Sequence, residues 1–241
     1  MEELTVVVFY MEETWGRAGK RTPWHFRTGE SWQYHVEWEQ EEIPRLCRVY
    51  LPERMQKKKE WTKEGFASYM EGLPIPGEST DVYYYYTKEA AAFLHRKNDS
   101  LSAEGARFLL RYYGIKTEAL LLLEDTAVRG EDWLYDYAGN TRYMGILTDR
   151  PEEQEEASDF LYEEYGIVLQ VADRAGKWRI PGGTSCLFVA GEKWYGLHPA
   201  DIGQKGTFLF MGAGESRIFG SRLPAERMIS VERYLRERGI P

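Results

Sequence analysis

The sequence predicts an α/β protein: a Rossmann-like three-layer domain on a mostly parallel sheet, plus a smaller aromatic-rich, β-containing N-terminal part. Three observations predict it. First, the stretch from Glu118 to Asp173 reads as strand, helix, strand, helix, strand. Second, its apolar runs, Ala119–Leu123, Tyr143–Leu147 and Ile167–Ala172, are too short for core helices and lack strict alternation. Strands buried on both faces of a parallel sheet read this way. Third, most of the eight tryptophans fall in the first 61 residues, so the two parts of the chain differ in architecture.

The expected division is an N-terminal part over 1–72, a linker over 73–81 and the Rossmann-like domain over 82–241. Pro74, Pro76 and Gly77 mark the linker, because they interrupt any regular element. The N-terminal part either packs on the main domain or extends its sheet, beginning with Thr5–Tyr10.

Thr5–Tyr10 is β-branched and aromatic, hence a strand. Ser31–Glu39 alternates Trp32, Tyr34, Val36 and Trp38 with polar residues, the period of a strand with one apolar face. With Trp24–Arg27 before it and Gly29 between, it suggests a hairpin. Leu46–Leu51 and Val82–Tyr86 are further strands, and Thr87 is placed to cap a helix over Lys88–Lys97. Ser102 caps a second helix with Ala106, Leu109, Leu110 and Tyr113 on one face, closed by Gly114. The first crossover holds a helix at Glu131–Tyr137. The second is an amphipathic helix over Pro151–Tyr165, with Ala157, Phe160, Leu161 and Tyr165 as its buried stripe. Cys186–Ala190 and Thr207–Met211 are short strands. A helix from Pro224 to about Arg238 ends the chain, with proline at its first position.

Composition narrows the function classes. A net charge of -8 argues against broad nucleic-acid binding, which depends on Lys and Arg. Two distant cysteines make no disulfide scaffold. The N-terminus has no basic, apolar leader pattern, and no apolar run approaches the ~20 residues of a membrane span. These features lead to the expectation of a soluble cytoplasmic protein without a membrane partner.

Two constellations carry possible chemistry. Glu124–Asp125, Thr148–Asp149 and Asp173 follow three successive strands, where open α/β sheets bind ligands. Asp125, Asp149 and Asp173 are therefore candidates for metal-holding or acid–base roles, with helix capping as the simpler reading. Gly212-Ala213-Gly214, entered from a strand, suits a phosphate-cradling turn, with Ser216 and Arg217 as further ligand-binding candidates. The full dinucleotide fingerprint is absent, because Arg217 stands where its third glycine would be. Ser216–Arg238 does hold six arginines against three glutamates, a charge that suits an anion.

The remaining features read as structure. Cys186 has no nucleophile signature and opens an apolar run, so it reads as a buried small hydrophobe. His25, His35, His95 and His198 show no metal spacing, so no metal is assigned. Trp32, Tyr34 and Trp38 read as core. The eight acids of Asp149–Glu164 read as a solvated helix face.

The leading reading is a non-catalytic binding or regulatory protein for a small anionic, nucleotide- or phosphate-like ligand. One alternative is an enzyme acting on a nucleotide or phosphorylated metabolite through strand-end carboxylates. The other is a protein-interaction module, with a protein partner or a homo-oligomer. No motif specifies a cofactor.

Overall fold

The computed structural model describes residues 3–11, 35–39, 44–51, 70–71, 80–126, 128–173, 184–191, 206–212 and 224–240. The chain divides into two units, Met1–Asp99 and Ser100–Pro241. Each carries its own mostly parallel sheet.

In the first unit the strands are β1 (Glu3–Met11), β2 (His35–Glu39), β3 (Arg45–Leu51) and β4 (Thr80–Tyr86), in the order β2-β3-β1-β4. β1 runs parallel to β3 and β4, and β2 runs antiparallel to β3. Val7, Phe9, Met11, Cys47, Val49 and Leu51 form one buried face, which Ala90 of helix α1 (Lys88–Leu94) joins. β4 and α1 thus belong with the N-terminal sheet, whereas the sequence reading assigned them to the large domain. That sheet is separate rather than an extension of the main one. Most of the expected linker lies outside the described residues, as do Trp24–Arg27, Trp32 and Tyr34.

Thr87 does not cap α1. Its hydroxyl donates instead to the Phe9 carbonyl at 3.0 Å, tying the end of β4 to β1. α1 stops at Leu94, three residues early, because His95 takes a left-handed conformation with φ 51°.

In the second unit, α2 (Ala103–Tyr112) is capped by Ser102, whose Oγ accepts the Gly105 N–H at 3.0 Å. The strands are β5 (Ala119–Leu123), β6 (Tyr143–Leu147), β7 (Leu169–Ala172), β8 (Cys186–Ala190), β9 (Gly206–Phe210) and β10 (Met228–Ile229). Every pairing is parallel, in the order β10-β9-β8-β5-β6-β7. Numbered within the unit and read from β7, this is 3-2-1-4-5-6, the strand order of Rossmann sheets. The fold is α/β and Rossmann-like. Every residue of β5 and β8 is buried, which explains their unbroken apolar runs. β7 is an edge strand and only Leu169 in it is fully buried.

One sheet face is an all-strand cluster that includes Leu121, Leu123, Cys186, Phe188, Phe208 and Phe210. Phe188 stacks on Phe208 with ring centroids 4.8 Å apart. Helix α3 (Glu131–Tyr137) follows β5, and α4 (Glu155–Tyr165) follows β6 after a short 3-10 turn at Pro151–Gln154. In α4 only Ala157 and Leu161 are buried, while Phe160 and Tyr165 are exposed, against the expected stripe. α4 leads to the edge strand, so its last turn has less sheet to cover.

The expected C-terminal helix is broken in two. Ala225–Arg227 is a 3-10 turn, Met228–Ile229 becomes β10, and helix α5 spans Val231–Glu237. Ser230 sets the break. It is extended, and its Oγ accepts the Arg233 N–H at 3.0 Å. Among the described residues, no helix is long and apolar enough to cross a membrane.

Candidate functional site

The sheet reverses its winding direction between β5 and β8, the adjacent pair from which successive strands depart to either side. In such sheets the crevice beyond the carboxyl ends at that point is where ligands bind. The residues placed there are Glu124 and Asp125 after β5, Gly191 after β8, and Met211 and Gly212 after β9.

Glu124 is the best-anchored carboxylate. It is buried, and its backbone N–H extends the ladder to the Leu147 carbonyl at 2.9 Å. Its side chain accepts the Thr148 hydroxyl and, at 3.2 Å, the N–H of Gly130, the residue before α3. The Arg150 guanidinium lies 3.8 Å away. Thr148 is fully buried and accepts the Arg150 N–H at 3.0 Å, so one hydroxyl locks the carboxylate and the following turn together. Gly130 is closely approached here by side-chain ends. A Cβ would come 2.8 Å from Ile146 Cδ1 and 3.1 Å from Gln154 Oε1.

This arrangement decides what the first turn can do. In a dinucleotide-binding sheet, glycines after the first strand let a pyrophosphate approach the helix N-terminus. Here Glu124 places the chain's own anion against Gly130. A phosphate at this position meets a carboxylate and a filled donor.

Asp125 folds its loop back on itself. Its Oδ1 accepts the Val128 N–H at 3.1 Å, and its own N–H donates to the Val128 carbonyl at 3.0 Å. That bond closes a turn within the loop and is not the helix cap weighed for Asp125, because α3 begins at Glu131 with Gly130 at its N-cap. The same carboxylate sits against Gly191, where any Cβ would overlap it. Asp125 thus stands at the switch point. Asp149 and Asp173 follow the neighbouring strands β6 and β7 and are exposed. Among the described residues, no group of three or more His, Cys, Asp or Glu is placed to hold a metal ion.

Gly212 is half-buried beyond β9, beside β8, where the Met211 N–H donates to the Ala190 carbonyl at 2.8 Å. Gly214, Ser216 and Arg217 lie outside the described residues. Two arginines of the basic segment are engaged by the fold. Arg227 Nε donates to the Gly206 carbonyl at 2.5 Å, and Arg233 Nε to Glu237 at 2.8 Å.

Cys186 is buried within the strand cluster, and burial pushes its thiol up to about 12. A thiol held that far above neutral pH supplies no thiolate nucleophile. His198 lies outside the described residues. His95 is exposed at the end of α1.

Sequence reasoning placed Glu124 and Thr148 after their strands but did not single them out over the aspartates. Gly191 and Gly130 were missed altogether. The available signal for Glu124 was an acid directly after an all-apolar strand, with Thr148 one residue past the next strand. A cavity of about 330 Å3 opens beside this pair, lined by Glu124, Arg129, Tyr135, Arg150 and Gln154 among others.

No protein-family model matches the chain, and no curated protein does. A similar solved structure is the crystal structure of L-tryptophan dehydrogenase from Nostoc punctiforme. It shares 9% sequence identity over 99% of this chain and 68% of that one, with a TM-score of 0.32.

Proposed function

We propose that the chain is a non-catalytic binding or regulatory protein, taking a small anionic ligand at the carboxyl ends of β8 and β9. The observation that carries this reading is the reversal between β5 and β8, with Gly191 and Gly212 directly after two adjacent strands. The anionic group is directed to the Gly212–Gly214 turn, with Ser216 and Arg217 as its side-chain partners. It is kept from the α3 N-terminus by Glu124. A nucleoside monophosphate or a sugar phosphate suits this arrangement better than a dinucleotide, whose pyrophosphate the acidic first turn disfavours. Asp125, whose carboxylate sits against Gly191 at the end of β8, accepts hydrogen bonds from hydroxyl groups of the same ligand, while the anionic group lies at Gly212.

Titration calorimetry with inorganic phosphate, nucleoside monophosphates and sugar phosphates tests this. A phosphate-bearing compound should bind, and Arg217→Ala should weaken it about tenfold or more, the scale of one charge-assisted hydrogen bond. If no such compound binds, or if Arg217→Ala binds as tightly as the parent, the reading fails. Turnover of the bound compound that Asp125→Ala abolishes without unfolding would favour the enzyme alternative instead.

A further inference from the structure

Away from the strand ends, α3 and α4 present an exposed chain of aromatic rings. Tyr135 of α3 meets Phe160 of α4 edge-on, with centroids 4.9 Å apart. Phe160 in turn meets Tyr165 at 5.9 Å. The three are 38%, 37% and 47% exposed, so each ring keeps part of its surface in water. Phe160 also belongs to a surface groove of about 630 Å3 whose other lining includes Glu152, Glu156, Asp159 and Glu163.

The charge lining the groove at Phe160 is one-sided, whereas Arg129 and Arg150 line the neighbouring cavity beside Tyr135. Among the described residues, Arg150 pairs with Glu153 at 2.7 Å, and no cation reaches Glu152, Glu155, Glu156, Asp159 or Glu163. Exposed aromatic faces carry negative potential, and carboxylates beside them add to it. A guanidinium satisfies both at once, stacking on a ring while its N–H groups reach a carboxylate.

We propose that this α3–α4 face is a docking surface for an arginine-bearing segment of another protein. The rings take the guanidinium planes and the groove carboxylates take their charge. The helical frame is already in place, so docking needs little reordering of this chain.

The test is fluorescence anisotropy of the full chain with a labelled peptide alternating arginine and glycine, and a matched glutamate–glycine peptide as control. The arginine peptide should bind and the glutamate peptide should not. Phe160→Ala should weaken binding about tenfold. Phe160→Leu, which keeps apolar volume and preserves the fold, should weaken it similarly by removing the ring face. Glu156→Lys with Asp159→Lys should abolish it. Tyr162→Ala should change nothing, since Tyr162 lies two residues, about 200°, around α4 from Phe160. Equal binding by the parent and Phe160→Leu would mean that net charge alone attracts the peptide, and would overturn the proposal. So would absence of binding. A parent dimer that Phe160→Ala turns into a monomer in sedimentation would assign the face to a second copy of this chain and also overturn it.

Discussion

Glu124 shows how one residue redirects a strand end. A buried carboxylate costs stability unless its lone pairs are filled, and here Thr148 and Gly130 donate to it while the Arg150 guanidinium lies 3.8 Å away. Removing it strands a buried hydroxyl and an N–H. Glu124→Ala should therefore lower unfolding free energy by about 2–4 kcal/mol in urea denaturation. A loss below about 0.5 kcal/mol would show that the cluster contributes little. Asp125 and Gly191 make a sharper test, because they compete for one space. Gly191→Ala should push the carboxylate off the Val128 N–H, costing about 1–2 kcal/mol. With Asp125→Ala already present, that cost should largely vanish. A double-mutant cycle should then show coupling of about 1 kcal/mol, whereas strict additivity would separate the two residues. The acid at position 124 was readable in the sequence, but its partners were not. They sit six and 24 residues away and meet only when β5 and β6 pair.

At the scale of elements, local chemistry was most legible where it is self-sufficient. Ser102, Gly114 and the Glu131–Tyr137 helix stand where the sequence reading put them, because caps and short-range periodicity act within a few residues. Thr87 went the other way. The same hydroxyl that suits a cap found a long-range acceptor on Phe9, 78 residues distant in sequence. The Pro224–Arg238 reading failed because a strand partner, β9, was invisible to periodicity. Pairing Met228 with Phe208 takes those residues out of the helix and leaves Ser230 to start it. Ser230→Ala should cost about 1 kcal/mol through loss of that cap. Ser230→Asp should be tolerated, because an acid also caps. Equal destabilisation by both in thermal denaturation would contradict the capping role.

For the whole molecule, the parallel, doubly buried character of β5 and β8 was written in their apolar runs, and with it the Rossmann-like class. The separation into two sheets was not. Val82–Tyr86 reads as a strand in either sheet, and only pairing with β1 settles which. Burial in the two sheets also sets a shared pH limit. Cys47 in the first and Cys186 in the second both have thiols pushed from 9.0 to about 12 by burial. Above 9.0 the unfolded chain releases thiol protons that the folded chain keeps until about 12. Their stabilising contribution is therefore complete below 9.0 and declines as pH rises toward about 12. At pH 8 a thiol reagent should label the native protein only as it unfolds, and prompt labelling of two thiols would contradict this burial.

The proposed anionic ligand sits beyond β8 and β9 and is excluded from the turn after β5. The most direct measurement is amide chemical-shift mapping of the labelled full chain, titrated with a nucleoside monophosphate. Saturable shifts are expected at Gly191 and Gly212, with Gly130 and Glu131 unmoved. Shifts centred on Arg129–Glu131 would place the phosphate on the α3 N-terminus and contradict this placement, as would a spectrum that the ligand leaves unchanged.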